Sequence, residues 1–133
     1  MRVMLDTDIC IYLIKCKSDA VLRRLRSSEP GELCISAVTL AELSFGVAKS
    51  QSKERNAAAL DTFLLPLAIA AFDDAAARIY GTVRADLEKR GTPIGALDTM
   101  IGSHALSLRV DLATNNAREF SRIDGLRVTD WTT

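Results

Sequence analysis

Histidine, paired cysteine, glycine-rich loops and long apolar runs are all scarce in this chain, and each scarcity removes a class of chemistry. The single histidine, His104, falls six residues after Asp98 on one helical stretch and away from its face. This argues against a Ser-His-Asp arrangement, and His104 is expected to be a surface or packed helix residue. Three cysteines, Cys10, Cys16 and Cys34, form no CxxC pair and have no histidine partner, which leaves neither a zinc nor a dithiol redox motif. Their odd number among apolar neighbours points to buried, reduced thiols in a cytoplasmic protein. The seven glycines are scattered, and none matches a phosphate-binding or dinucleotide-binding loop. Apolar stretches are cut by charges or by Pro66 well short of a membrane span, and the first residues run into Asp6 rather than forming a secretory signal. Charge of one sign is missing too. With 17 basic and 17 acidic residues no global positive field advertises a polyanion partner. Only five of the basic residues are lysine, however, and arginine is the better bidentate ligand for phosphate.

What is present reads as α/β. A length of 133 residues predicts one domain, 1–133, large enough to bury a core. Short apolar runs at Arg2–Leu5, Leu33–Ser36, Leu67–Phe72, Val110–Ala113 and near Leu126–Val128 are expected strands. Between them lie helical patterns. Ile9, Cys10, Leu13 and Ile14 share one face, and Ser18 or Asp19 starts a second helix to Arg26 with Val21, Leu22 and Leu25 on one side. Further helices are expected over Ala37–Lys49, Lys53–Leu65, Ala75–Arg90 and Thr99–Leu108, with a short turn at Arg118–Phe120. Glu29-Pro30-Gly31-Glu32 is a turn, Pro66 stops one helix, Asp73-Asp74 caps the next and Gly91 ends it. Strands separated by one or two helices imply βαβ units, hence a three-layer α/β/α fold with a mostly parallel sheet of about five strands. Met4 and Met100 are expected in the core, and Trp131 anchors the last strand.

Acidic residues stand where the strands stop. Asp6 ends the first strand, Glu42 lies on the helix after the second, Asp98 opens the helix before the fourth, and Asn115-Asn116 follows the fourth. Each has an ordinary alternative: Asp6 and Asp98 as helix N-caps, Glu42 in a capping box with Thr39, the asparagines as turn residues. Capping does not require all four to share one sheet edge, and a parallel sheet brings its C-terminal strand ends to one crevice. Carboxylates gathered there raise one another's pKa unless a cation neutralises them. An oxygen-only site favours Mg²⁺ or Mn²⁺.

These residues sit in the segments MLDTDICIY, CISAVTLAELSFGVAKS, GTPIGALDTMIGSHA and LATNNAREF followed by GLRVTDW. Over nearly its whole length the chain thereby resembles the PIN-domain ribonucleases, specifically VapC toxins of type II toxin–antitoxin modules, of the enteric type. The resemblance implies an Mg²⁺-dependent endoribonuclease with Asp6, Glu42 and Asp98 as its acidic core. Asp6 and Asp98 would hold the ion directly, with Glu42 also counted among its ligands or joined to it through water. The fourth acidic position of many PIN domains falls on Asn116, so a second metal site should be weaker or absent. Glu119, one turn on, is a candidate for the missing charge, while Asp8 and Asn115 are auxiliary candidates. In-line attack by water would leave a 5′-phosphate and a 3′-hydroxyl. The implied target is tRNA, initiator tRNA in its anticodon loop, since splayed bases in a loop are readable. Arg84, Lys89, Arg90 and Arg118 are candidates for backbone contacts. The implied partner is a VapB antitoxin lying along an apolar groove made by Ala37, Val38, Leu40, Leu43 and the helices after them. A homodimer within a larger assembly, touching operator DNA only through the antitoxin, completes the expectation.

Two rivals stay open on sequence alone. A strand ending in Asp6-x-Asp8 fits a haloacid-dehalogenase-type phosphatase, with Asp6 as nucleophile, although no downstream Lys or Asp-Asp motif accompanies it. A PIN-like module that only binds, its chemistry decayed at Asn116, is the other.

Overall fold

Residues that alternate along the strands feed two separate cores. The computed structural model describes residues 1–15, 19–29 and 31–131. Expectations for Cys16, Ser18 and Pro30, and for the side chains of Val21 and Leu22, lie outside the described residues. The strands are β1 Val3–Leu5, β2 Leu33–Ser36, β3 Ala68–Ala70, β4 Asp111–Thr114 and β5 Val128–Asp130. The helices are α1 Thr7–Ile14, α2 Asp19–Ser27, α3 Ala37–Ala48, α4 Lys53–Leu64, α5 Asp74–Lys89, α6 Ala96–Leu108 and α7 Ala117–Phe120. Met4, Cys34 and Leu112 point to one face, where Val83, Leu87, Ile101, Ala105, Phe120 and Ile123 of α5 to α7 and the turn after them cover them. Leu5, Leu33, Ile35 and Ala113 point to the other, under Ile9, Cys10, Leu13, Leu43 and Leu60 of α1, α3 and α4. A period of two with both faces covered is what a buried parallel strand requires. Each fully buried Leu or Ile contributes about 1.5–3 kcal/mol.

The sheet order is β3-β2-β1-β4-β5, and all four pairings are parallel. The chain winds outward from β1 through β2 to β3, then returns to the other side of β1 for β4 and β5. The order therefore reverses beside β1, between it and β4. That is the switch point at which the C-terminal strand ends of an open α/β sheet leave a crevice.

Element types agree with the sequence reading, and four details differ. Strand β3 covers Ala68–Ala70 rather than Leu67–Phe72, because Leu67 N–H turns back to Leu64 and only Cys34–Ser36 offer pairing partners. Strand β5 starts two residues late, because Gly125 takes a positive φ of 83° and Leu126 N–H closes a turn on Ile123. Met100 is half-buried beside a groove rather than in the core. The N-cap of α6 is Gly95, so Asp98 lies inside the first turn and caps nothing. The α1 cap is Asp6 and the α5 cap Asp73, as their positions suggested. Cys10, Cys34 and Met4 are fully buried, and Trp131 is buried beyond β5 with the Arg24 guanidinium over its ring.

Candidate active site

Strand β1 delivers Asp6 to the switch point at 2 % exposure. One carboxylate oxygen accepts the Ile9 N–H at 2.9 Å, capping α1, and the other accepts the Thr114 hydroxyl from the end of β4 at 2.5 Å. Burial pushes its pKa up to about 7 against the pull of these two bonds, and the charges of Asp8 and Asp98 push the same way. The capping reading of Asp6 is thus correct and incomplete. A cap needs one oxygen, and an exposed aspartate would serve as well.

Asp98 reaches the crevice from the first turn of α6. The Thr99 hydroxyl donates to Gly95 O at 2.8 Å and fixes that turn, and a Cβ added at Gly95 would lie 3.9 Å from Asp98 Oδ2. The carboxylate therefore folds back over its own helix N-terminus, where negative charge is favoured. Its pKa is nevertheless raised to about 6, by burial first, then by Glu42, Asp8 and Glu119. Acidic groups from three other helices thus act on Asp98.

Glu42 sits mid-helix on α3. The helix is capped by Ser36, whose hydroxyl oxygen accepts Val38 N–H at 3.0 Å, so the capping-box alternative with Thr39 is not what the chain does. Instead the Thr7 hydroxyl donates to Glu42 Oε1 at 2.7 Å and exchanges a hydrogen bond with Thr39 Oγ1 at 3.2 Å. Asn116 precedes α7, its N–H bonded to Thr114 Oγ1 at 2.8 Å and its side chain making no cap bond. Asn115 and Glu119 are half-buried, and Asp8 is exposed on the first turn of α1. Through its effect on Asp98, Glu119 belongs to the acidic field rather than to bulk solvent.

Thr7 and Thr114 are the residues that sequence reasoning missed. Thr114 ties Asp6 to the backbone of Asn116, and Thr7 ties the start of α1 to Glu42. The one available signal was position: both lie at strand ends beside an acidic or amide residue, where a hydroxyl has few apolar uses.

None of these carboxylates has an ion-pair partner among the described residues. Nor do three acidic, histidine or cysteine side chains there already stand at the spacing of a closed metal cage. Asp6, Asp98 and Glu42 are neighbours through their charge, with Glu42 drawn toward Thr7. The donor set fits a hard divalent cation by its chemistry: oxygen only, partly desolvated, like-charged and without a basic counterweight. It does not fit zinc, for which thiolate or imidazole would be present.

Outside the crevice the expected residues scatter. His104 is 1 % exposed, packed edge-on against Phe72 and hydrogen-bonded through Nδ1 to Ser36 Oγ at 2.8 Å. It is a packed residue. Arg84 on α5 and Arg90 at its C-cap are exposed but engaged, Arg84 with Tyr80 and Glu88, Arg90 with Asp86 and the Arg122 carbonyl. Lys89 and Arg118 are exposed. Beside the crevice a groove of about 1170 Å³ runs between α1, α3, α4 and α6, with Ile11, Phe45, Leu97 and Met100 on its walls. Of the expected groove residues, Val38 and Leu43 line it. Ala37 does not, and Leu40 turns to the core, because the helix presents Ala41 and Phe45 there instead.

Residues 3–126 match the family described as PIN domain. The chain belongs to the PIN-domain family, in its VapC branch of ribonucleases. It is 45 % identical over 131 residues, 98 % of each chain, to the tRNA(fMet)-specific endonuclease VapC of Shigella flexneri. Its fold superposes on the toxin of the DNA-bound VapBC complex from Salmonella typhimurium with a TM-score of 0.94, at 42 % identity and 98 % coverage of both chains. The VapBC2 complex of Rickettsia felis, bound to a DNA fragment from its promoter, matches with a TM-score of 0.90 and 39 % identity, over 98 % of this chain and 99 % of that one. Membership of this family withdraws the phosphatase reading of Asp6 and Asp8. The expected three-layer PIN architecture is the one observed, and no helix among the described residues is long and apolar enough to cross a membrane.

Proposed function

We propose that this PIN chain acts as a single domain, 1–133, and is an Mg²⁺-dependent endoribonuclease toxin, with Mn²⁺ able to substitute. The observation that carries the proposal is a buried carboxylate, Asp6, facing like charges at the switch point with no ion pair to a basic side chain among the described residues. Asp6 and Asp98 are the direct ligands in this reading, and Glu42 and Asn116 complete the shell through water. When bound, the cation supplies a water of lowered pKa and offsets charge developing on the phosphate. The residues of the chain do the positioning. Ile9 N–H and the Thr114 hydroxyl leave Asp6 one orientation, Thr7 orients Glu42, and Asn116 offers an amide oxygen without adding charge. Glu119 is the auxiliary carboxylate, with Asp8 at the rim and Asn115 beside Asn116. In-line attack leaves a 5′-phosphate and a 3′-hydroxyl.

Selectivity has to come from outside the carboxylates, which read only a phosphate. By analogy with the relative named for tRNA(fMet), the substrate is tRNA and the target the anticodon loop of the initiator. Exposed Lys89 and Arg118, with Arg84 and Arg90 once freed from their neighbours, are the candidates for backbone contacts. The groove beside the crevice is the seat of a VapB-type antitoxin segment, and solved VapBC complexes of relatives support that partner. Toxin homodimers in a larger cytoplasmic assembly, reaching operator DNA only through the antitoxin, complete the picture.

Mapping the 5′ ends of RNA cut after brief expression tests both halves. A single dominant cut in one tRNA anticodon loop is expected for the native chain, and none for Asp6→Asn or Asp98→Asn. Cutting that persists unchanged in either variant would mean that the acidic site is not catalytic.

A further inference from the structure

Helices α3 and α6 carry Glu42 and Asp98, and they pack on each other and approach at two levels. Near one level, Glu42 of α3 lines the same groove as Leu97 and Met100, which lie on either side of Asp98 along α6, and Glu42 exerts the largest charge effect on Asp98. At the other, Ser36 Oγ bonds His104 Nδ1 at 2.8 Å, with Ser36 0 % and His104 1 % exposed. Glu42 lies six residues after Ser36, and Asp98 lies six residues before His104. Six residues are about 9 Å of helix in either case. The helices therefore pass in opposite directions in a register that pairs Ser36 with His104 and Glu42 with Asp98. Slipping one helix by a single residue would move its carboxylate by about 1.5 Å.

Resting on the metal reading above, we propose that the Ser36–His104 hydrogen bond is a positioning contact that sets this register and so holds Glu42 against Asp98. Ser36 suits the task because its hydroxyl acts twice. Its oxygen accepts Val38 N–H and begins α3, and the same hydroxyl shares a buried hydrogen bond with His104 Nδ1. The start of one carboxylate-bearing helix is thereby joined to the middle of the other. Phe72 packs edge-on against the imidazole with centroids 5.3 Å apart, which prevents the ring from turning away. The pair touches neither RNA nor the ion. It acts through Glu42 and Asp98 alone.

The test compares His104→Leu with His104→Asn in the full-length chain. Both lose the ring packed on Phe72, so both should melt earlier. Only asparagine keeps a hydrogen-bonding group near the Nδ1 position. The readout is Mn²⁺ affinity of the RNA-free protein by calorimetry, beside the Mg²⁺ dependence of cleavage. His104→Leu should weaken Mn²⁺ binding about 10-fold, the usual scale for a group that orients a ligand, while His104→Asn stays near the native value. Ser36→Gly, tolerated at a helix cap, should reproduce the His104→Leu loss, and the double variant should be no worse than either single one. Equal Mn²⁺ affinities in the leucine and asparagine variants, or native affinity in Ser36→Gly, would overturn the proposal. If the leucine variant does not fold, Ser36→Gly decides alone. A native chain with no Mn²⁺ binding sensitive to Asp98→Asn overturns the metal reading and this proposal together, whereas native binding with an unaffected Ser36→Gly overturns only the register.

Discussion

Helix α5 and the acidic crevice use the same residue types to opposite ends. Along α5, Arg84 meets Glu88 at 2.9 Å and Arg90 meets Asp86 at 2.8 Å, each pair one turn apart on an exposed surface. Each of these charges has an opposite neighbour. In the crevice Asp8 and Asp98 act on Asp6, and Glu42, Asp8 and Glu119 act on Asp98, with no ion pair to a basic group among the described residues, and Asp6 is buried besides. Repulsion of this kind costs stability in the metal-free chain. The fold thus pairs its charges along α5 and leaves them unpaired at the switch point, where the charge suits a cation. The charge balance of the whole chain conceals this, since the crevice's acidity is offset by arginines elsewhere.

The sharpest way to break this comparison is to remove one crevice carboxylate. Asp6→Asn retains a capping side chain, so the chain should fold, yet RNA cleavage should fall by at least about 100-fold, the upper range for groups that only support a metal ligand. Activity within a few-fold of native would show that the unpaired crevice carboxylate is not catalytic. Next in size is Thr114→Val, nearly isosteric, which deletes the hydroxyl on Asp6. Mn²⁺ affinity should drop by about 10-fold, and an unchanged calorimetric Kd would mean that Asp6 does not depend on Thr114 for its orientation.

A pH series sharpens the comparison through stability. Asp6 and Asp98 have folded pKa values of about 7 and about 6 against an ordinary aspartate value of 3.8, so the folded state holds their protons more tightly. Their stabilising share is fully present below the unfolded pKa and is lost as pH rises through the folded values. In chelator, Asp6→Asn should melt at nearly the native temperature at low pH and above it once the native Asp6 has ionised, past pH of about 7. A gap that stays constant across the range contradicts the buried, unpaired carboxylate. The smallest effect belongs to α5. Glu88→Gln should leave the melting temperature unchanged within error, because an exposed pair one turn apart exchanges its partner for water at little cost.

Much of this contrast was legible in the linear chain. Strands β1, β2 and β4 declared themselves as short apolar runs bounded by polar residues, and their spacing by one or two helices implied parallel pairing. Asp6, Glu42, Asp98 and Asn116 stood out because a parallel sheet gathers the residues just past its strand ends. The limits of the strands were less legible. Phe72 and Leu126 look as apolar as their neighbours, and only the length of the adjoining strand and the turn at Gly125 removed them from the sheet. The groove was half legible. A helical pattern shows that α3 is apolar nearly all round, but not which of Leu40 and Phe45 faces the core.

Local order alone settled the type and order of the strands and helices, that both sheet faces are covered, and that acidic side chains collect at one edge. These depend on periodicity and on chain connectivity, both of which are properties of the residue order. Packing alone decided that Thr114 meets Asp6 across 108 positions, that Thr7 orients Glu42, and that Ser36 meets His104 across 68. A hydroxyl carries no periodic signature, so its partner is chosen only when distant segments are laid side by side.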